Sequence, residues 1–302
     1  MDSATIISHL DADGITSASI MASALGKADI EYDMVFTRQI DEEVLGRDYS
    51  GDIIVYTDLG SGYINDILRA YPDRRMLIVD HHHPLIAQDR IGDVVQLNPH
   101  LIGMDGAIDI SGSGMAFLAA MSISEENSRL APLAIVGAVG DMQDSQHRKL
   151  VGLNRDIITL GKSLGLIRPE IDVRMFGRQT RSVAKMLEYS NDPFLPGLTG
   201  NEENCTEFVK YVLASHDVGR RWIDLTAAQR SEILLNLMDY RSQDAGFCDR
   251  QGPEWYKSVS ARDMGSGSRR VKSIRGHVHS IKTCWGTWWW TQYCRGCKYS
   301  GR

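Results

Sequence analysis

The sequence predicts an α/β protein: a mostly parallel sheet flanked by helices, followed by a helical connector. Two observations carry that expectation. Short β-rich runs alternate with helical stretches through the first 150 residues, a spacing that suits strands joined by crossover helices. The polar exceptions in those runs collect at their carboxyl ends, where open parallel sheets gather their ligands.

The predicted strands are "TIIS" (5–8), "YDMVFT" (32–37), "DIIVYTD" (52–58), "RMLIVD" (75–80) and "DVVQLN" (93–98). Residues 15–25 and 62–70 are amphipathic helix candidates between them. Residues 112–122 and 131–165 also read as helical, the second stretch broken near "GDMQDS" (140–145). "LTAAQRSEILLNLMDY" (225–240) is a further amphipathic helix with Thr226 as its cap. The organisation expected is a first domain over 1–165, a helical connector over 166–240, and a segment of different character over 241–302.

With 302 residues and 43% hydrophobic content, the chain can bury a sizeable core, and its length favours two domains. Apolar runs such as "LAIVGAV" (133–139) fall far short of the roughly 20 residues that a membrane span needs. Met1-Asp2-Ser3 begins no secretory signal. The expectation is a soluble, cytoplasmic protein with no membrane partner. Five cysteines, four of them after residue 240, make no disulfide framework and fit a reducing compartment. The net charge of -6 is uneven: residues 1–240 carry 21 Lys+Arg against 35 Asp+Glu, and residues 241–302 carry 12 against 4. So acidic a body is no general nucleic-acid glue; a polyanionic substrate there needs local cations or bound metal.

The chemistry starts at "SHLDADGITS" (8–17). Positions i, i+2 and i+4 of a strand share a face, so His9, Asp11 and Asp13 can project toward one point as the first strand ends. Asp58 ends the third strand and Asp80-His81-His82-His83 the fourth. Carboxylates mixed with imidazole, without cysteine, favour a borderline-hard divalent ion over structural zinc: manganese first, then magnesium, cobalt or zinc. Six ligands, His9, Asp11, Asp13, Asp58, His81 and the outlying Asp141, exceed the needs of one ion. Two ions about 3.5–4 Å apart, sharing a bridging carboxylate, would use them all and activate a water for in-line attack on phosphorus.

"HLDADGITS", the Asp58 of "VYTDLGSG", "VDHHHP" (79–84) and "GAVGD" (137–141) together resemble the four successive motifs of the DHH phosphoesterase superfamily. "LNPH" (97–100) with "DISGSGMAF" (109–117) is similar to its RecJ-like branch. "FGRQTRSVAKMLEYSNDPFLPGLTG" (176–200) resembles the archaeal RecJ-like nucleases associated with the replication machinery. The resemblance covers residues 3–240 and implies a DHH domain over 1–165. It implies that His9, Asp11 and Asp58 hold one metal and that Asp13, Asp58, His81 and Asp141 hold the other, with Asp58 as the bridge. The catalytic set it implies is Asp58, His82 against the substrate phosphate, and Asp80 orienting a histidine. The backbone N–H groups of Ser111, Gly112, Ser113 and Gly114 are expected at a phosphate. His83 is expected to be a loop residue.

Relatives of this kind carry a second α/β domain, DHHA1, with a "GGGH" motif that is absent from residues 241–302. "CWGTWWWTQYCRG" (284–296) stands there instead. Tryptophan has one codon, TGG, so "WGTWWWT" read one nucleotide forward encodes Gly-Gly-Gly, with His allowed next. The expectation is an incomplete or out-of-frame DHHA1-like segment, with a zinc knuckle or a basic aromatic strand binder as weaker alternatives. The resemblance implies an exonuclease on single-stranded DNA or RNA, using two manganese ions per site with magnesium or cobalt as alternatives. It also implies a protein partner in a replication complex. A small-substrate phosphoesterase and a non-catalytic scaffold are the other readings, the second disfavoured because every expected ligand is present.

Overall fold

A computed structural model of the chain describes residues 2–169, 173, 175–214 and 217–244. It divides into two compact units, the break falling between Pro169 and Glu170. That is four residues beyond the expected boundary, because the turn after the last helix of the first unit still packs on it: Ile167 closes against Gly161, whose missing side chain leaves room for it. The expectation for 241–302 lies outside the described residues beyond Asp244.

The first unit is built on a six-stranded sheet. In chain order its elements are β1 (Ser3–His9), α1 (Ala12–Lys27), β2 (Glu31–Thr37), α2 (Glu42–Leu45), β3 (Ile53–Thr57), α3 (Ile64–Ala70), β4 (Arg75–Val79), β5 (Arg90–Ile91), β6 (Val94–Leu97), α4 (Gly112–Ile123), α5 (Ala131–Gly140) and α6 (Gly152–Ser163). Sheet order is β2-β1-β3-β4-β6-β5, and every pair is parallel except the short β5 against β6. The fold class is therefore as expected, with β5 and α2 as additions too short to leave a periodic signal.

Alternation along each central strand feeds two cores. Ile6, Val55, Leu77 and Val79 join the core under α1 and α4, while Ile7, Ile54, Tyr56 and Ile78 join the core on the opposite face. Strands buried on both faces read as continuous apolar runs, as these do. The chain leaves β1 for β2 on one side and resumes with β3 on the other, so the order reverses at β1. Such a switch point opens a crevice at the carboxyl ends of the flanking strands. Register brings Ser8 beside Thr57 and Thr57 beside Val79, so His9, Asp58 and Asp80 emerge side by side.

The second unit is helical and has a core of its own. It contains α7 (Val183–Glu188), α8 (Glu202–Leu213) and α9 (Ala227–Asp244). Leu187, Val209, Trp222 and Ile233 are buried together with Cys205, whose thiol donates to the Leu198 carbonyl at 3.1 Å. Ser182, Asn201 and Thr226 cap the three helices by accepting from backbone N–H groups in their first turns. With its own core, this unit is more than the connector expected over 166–240. Among the described residues no helix is long and apolar enough to cross a membrane.

Candidate metal centre

Motif one is placed by a helix cap. Asp11 precedes α1 in extended conformation and its Oδ1 accepts from the Gly14 N–H at 2.9 Å, while its Oδ2 lies 2.8 Å from His9 Nδ1. Capping α1 leaves Asp11 Oδ2 available to the cluster, since a carboxylate has two acceptor oxygens. Asp13, in the first turn of α1, is buried. Its Oδ2 accepts from the Gly112 N–H at 2.7 Å and its Oδ1 from the Ser113 N–H at 3.0 Å.

Those two bonds correct the reading of Ser111, Gly112, Ser113 and Gly114 as a phosphate cradle. All four residues are buried. The amides at the start of α4 are aimed at an anion, but the anion is Asp13 of the same chain. Ser111 caps α4 by accepting from the Gly114 N–H at 3.1 Å. Gly112 leaves room for two carboxylates: a Cβ there would meet Asp58 Oδ1 at 2.5 Å and Asp13 Oδ2 at 3.0 Å.

Asp58 stands at the centre. It follows β3 with φ of 60°, a left-handed conformation that aspartate tolerates better than most residues. Its Oδ2 lies 3.7 Å from His9 Nδ1 and its Oδ1 3.1 Å from His81 Nε2. The Oδ1 is buried, and His81 does not meet it in hydrogen-bonding geometry. His81 Nε2 also lies 3.8 Å from Asp13 Oδ2 and 3.8 Å from Asp141 Oδ2. The ligand atoms fall into three overlapping groups: His9, Asp11 and Asp58; Asp58, His81 and His82; Asp13, His81 and Asp141. All six expected ligands come together, and His82 joins them.

A shell of further hydrogen bonds, most of it invisible in the sequence, holds these groups. His81 Nδ1 is 2.7 Å from the Gly106 carbonyl, which leaves Nε2 for the cluster. Gln143 donates to that carbonyl at 2.7 Å and to Asp141 Oδ2 at 2.9 Å, and is itself held by Asn154 at 2.6 Å. Asp80 is buried, and both its oxygens are engaged. Oδ2 accepts from the Ser61 N–H at 2.9 Å; Oδ1 takes the His81 and His82 N–H groups and lies 2.8 Å from His82 Nδ1. Asp80, expected to orient a histidine, is thus bound to His82 through Oδ1. Asn98 ties the His82 carbonyl to Ser61. His83 stacks on His100 at 4.0 Å, outside the metal-ligating groups.

Electrostatics match the geometry. The carboxylates of Asp58, first, and Asp11 beside it raise His9 to about 9. Burial opposes the cation on His81, yet the adjacent Asp58 carboxylate and the field of Asp13 carry it up to about 10. Burial pushes the Asp58 carboxyl up, but the two histidines prevail and hold it at about 2. Burial, with Asp58 nearby, lifts Asp13 to about 7. Buried carboxylates without Lys or Arg partners are costly unless a cation compensates them. Every ion-pair contact of these carboxylates among the described residues is with a histidine of the cluster. An orphaned Asp58 oxygen, hard oxygen donors and neutralisable imidazoles fit divalent cations.

Two family models match the chain: the DHH family, N-terminal domain, over residues 3–138, and the DHH-CID domain over residues 175–247. Between them they take in more than half of the chain. An uncharacterized protein of Methanocaldococcus jannaschii is 29% identical over 211 residues, 68% of this chain and 47% of the relative. The chain thus spans about half the length of the curated relative it matches. Among solved structures, CDC45 from Entamoeba histolytica aligns with a TM-score of 0.55 at 11% identity, covering 93% of this chain and 70% of the other. That likeness is one of fold. Exonuclease RecJ bound to manganese aligns with a TM-score of 0.44 at 18% identity, over 80% of this chain and 61% of the other.

Proposed function

The chain belongs to the DHH family, and from that premise we propose that this metal-dependent phosphoesterase is a RecJ-like exonuclease acting on single-stranded DNA or RNA. One observation carries the reading: Asp58, buried between two histidines, has one oxygen toward His9 and the other, lacking a hydrogen-bond donor, toward His81. A carboxylate so placed is suited to bridge two cations. His9, Asp11 and Asp58 would hold one, and Asp13, Asp58, His81 and Asp141 the other; the pair would polarise the phosphate and supply hydroxide near neutral pH. Manganese is the proposed metal, with magnesium or cobalt able to substitute.

The chain's own groups supply the rest. Gly112 and Ser113 hold Asp13 in place by their amides, and Gln143 holds Asp141. His82 is more than half exposed, and its Nδ1 is bound to Asp80, which raises its basicity. The other ring nitrogen of a protonated His82 can donate to a phosphate oxygen or to the departing alkoxide. The motifs quoted from 97–117 and 176–200 support the nuclease branch over a small-substrate relative. They also support a replication-complex protein as partner.

The test is hydrolysis of end-labelled single-stranded DNA and RNA with manganese, for the native chain and Asp58→Ala. Exonucleolytic products from the native chain and none from the variant are expected. Equal activity in both would rule out Asp58 as the bridge. Cleavage only of pyrophosphate or dinucleotides by the native chain would move the protein to the small-substrate reading.

A further inference from the structure

β2 ends the sheet on one side: β1 is its only neighbour among the described residues. The Glu31 N–H donates to the Asp2 carbonyl at 3.0 Å, toward β1. Backbone groups alternate in direction along a strand, so those of Glu31, Asp33, Val35 and Thr37 turn inward, and those of Tyr32, Met34 and Phe36 turn away from the sheet. The same three residues carry exposed apolar side chains, at 40%, 46% and 43%. They register with Ala4, Ile6 and Ser8 on the side of the sheet that α1 covers, and a Cβ at Gly26 of α1 would lie 3.5 Å from the Tyr32 ring. Glu31 and Asp33 project from the opposite side, with Val35. Glu31–Thr37 contains no lysine or proline. An edge with outward N–H and C=O groups, an apolar stripe and neither of those blocking residues accepts another strand instead of repelling one.

We infer that the occupant is a second copy of this chain, its β2 running antiparallel to the first about a two-fold axis at Met34. The strand is symmetric about that residue in backbone and side chain alike, since Met34 is the midpoint of Glu31–Thr37. Pairing there sets Met34 against its symmetry mate, Tyr32 against Phe36 and Phe36 against Tyr32, so every outward N–H and C=O meets a counterpart. On the α1 side the facing side chains are aromatic or thioether, cross-strand pairs that stabilise a ladder. On the other side Glu31 faces Thr37 and Asp33 faces Val35, with no like charges directly opposed. An axis at Asp33 would oppose two carboxylates, and one at Val35 would carry Tyr32 past the end of the partner strand. A contact of this kind uses the same patch on both copies and closes on itself, so assembly stops at two. The pairing holds whatever the metal centre hydrolyses.

The experiment measures the mass of the full chain at micromolar concentration by size-exclusion chromatography with light scattering. The native chain is expected to be a dimer. Met34→Lys, which opposes two ammonium groups at an exposed position and leaves the cores alone, is expected to be a monomer with native circular dichroism, its dissociation constant raised by about 100-fold. Oxidation tests the register. Residues paired in this way lie about 5.5 Å apart at Cα, within disulfide reach, so Met34→Cys is expected to link two copies at the substituted position, as identified by peptide mass spectrometry. Tyr32→Cys is expected not to, because its two copies lie roughly 13 Å apart along the strands. A monomeric native chain leaves β2 to another occupant and overturns the inference. So does a dimer that Met34→Lys leaves intact, or linkage at position 32 equal to that at position 34.

Discussion

The two units spend their buried space in opposite ways. At the carboxyl edge of the sheet, the first unit buries Asp13, Asp58, Asp80 and His81. Among the described residues of the second unit, the buried side chains are apolar apart from Ser190 and the thiol of Cys205. Buried charge subtracts from stability unless compensated, whereas buried leucine and valine add to it. The first unit can carry such a cost because a doubly covered sheet supplies two apolar cores beneath its edge. Chemistry concentrated in one unit and apolar packing in the other makes the consequences of mutation separable.

The largest separation is expected from Gly137→Ala. The added methyl would overlap Ser113 Oγ, Asp13 Oδ1 and Thr16 Oγ1 at once, so Asp13 must leave its place between the α4 amides and the cluster. Metal affinity should fall by about 10- to 100-fold, the usual effect of losing an orienting contact, and calorimetric titration with manganese measures it. An unchanged isotherm would mean that Asp13 is no ligand.

Leu187→Ala should do the reverse. Leu187 is wholly buried in the core of the second unit, and its truncation should cost about 2–5 kcal/mol of that unit's stability. Urea unfolding followed by fluorescence measures the loss, while manganese affinity in the absence of denaturant stays within about twofold of the native value. Metal affinity falling with stability would join the two units energetically and break the comparison.

A pH series sharpens it within the first unit. His81, raised to about 10, is protonated in the metal-free protein at neutral pH, and Asp13, raised to about 7, is only partly ionised. Metal must displace those protons, so affinity should rise with pH, by up to about tenfold per unit for each proton displaced. Stability of the metal-free protein should run the other way. The raised His81 contributes fully below about 6.5 and loses its contribution as pH climbs through about 10. The raised Asp13 adds a cost that grows as pH rises from about 3.8 to about 7. Thermal melts with and without manganese from pH 6 to 9 should therefore diverge; parallel curves would mean that protons and metal do not share these groups.

Much of this protein is legible in its residues taken in order. Five of the six strands, the helices after β1 and β3, and the broken helical stretch at 131–165 follow from apolar periodicity and turn residues. So do most of the six expected ligands, because the aspartates and histidines at the ends of β1, β3 and β4 stand out against a buried sheet, whereas Asp13 lies inside α1 and Asp141 after α5. The short α2 and β5 escape such reading, as do α7 and α8, whose capping serines and asparagines are indistinguishable from loop residues until a partner N–H is placed beside them.

By itself the sequence determined that the strand-end carboxylates and imidazoles gather at one edge, since the ends of β1, β3 and β4 follow from their apolar runs. Only the tertiary structure decided what surrounds them. The α4 amides go to Asp13 rather than to a phosphate through hydrogen bonds spanning 99 and 100 residues. Gln143 and the Gly106 carbonyl orient Asp141 and His81 across turns without periodicity. The physical reason is the same in each case: a backbone N–H or carbonyl carries no residue identity, so which group it serves is settled by the packing of α1, α4 and α5 against the sheet.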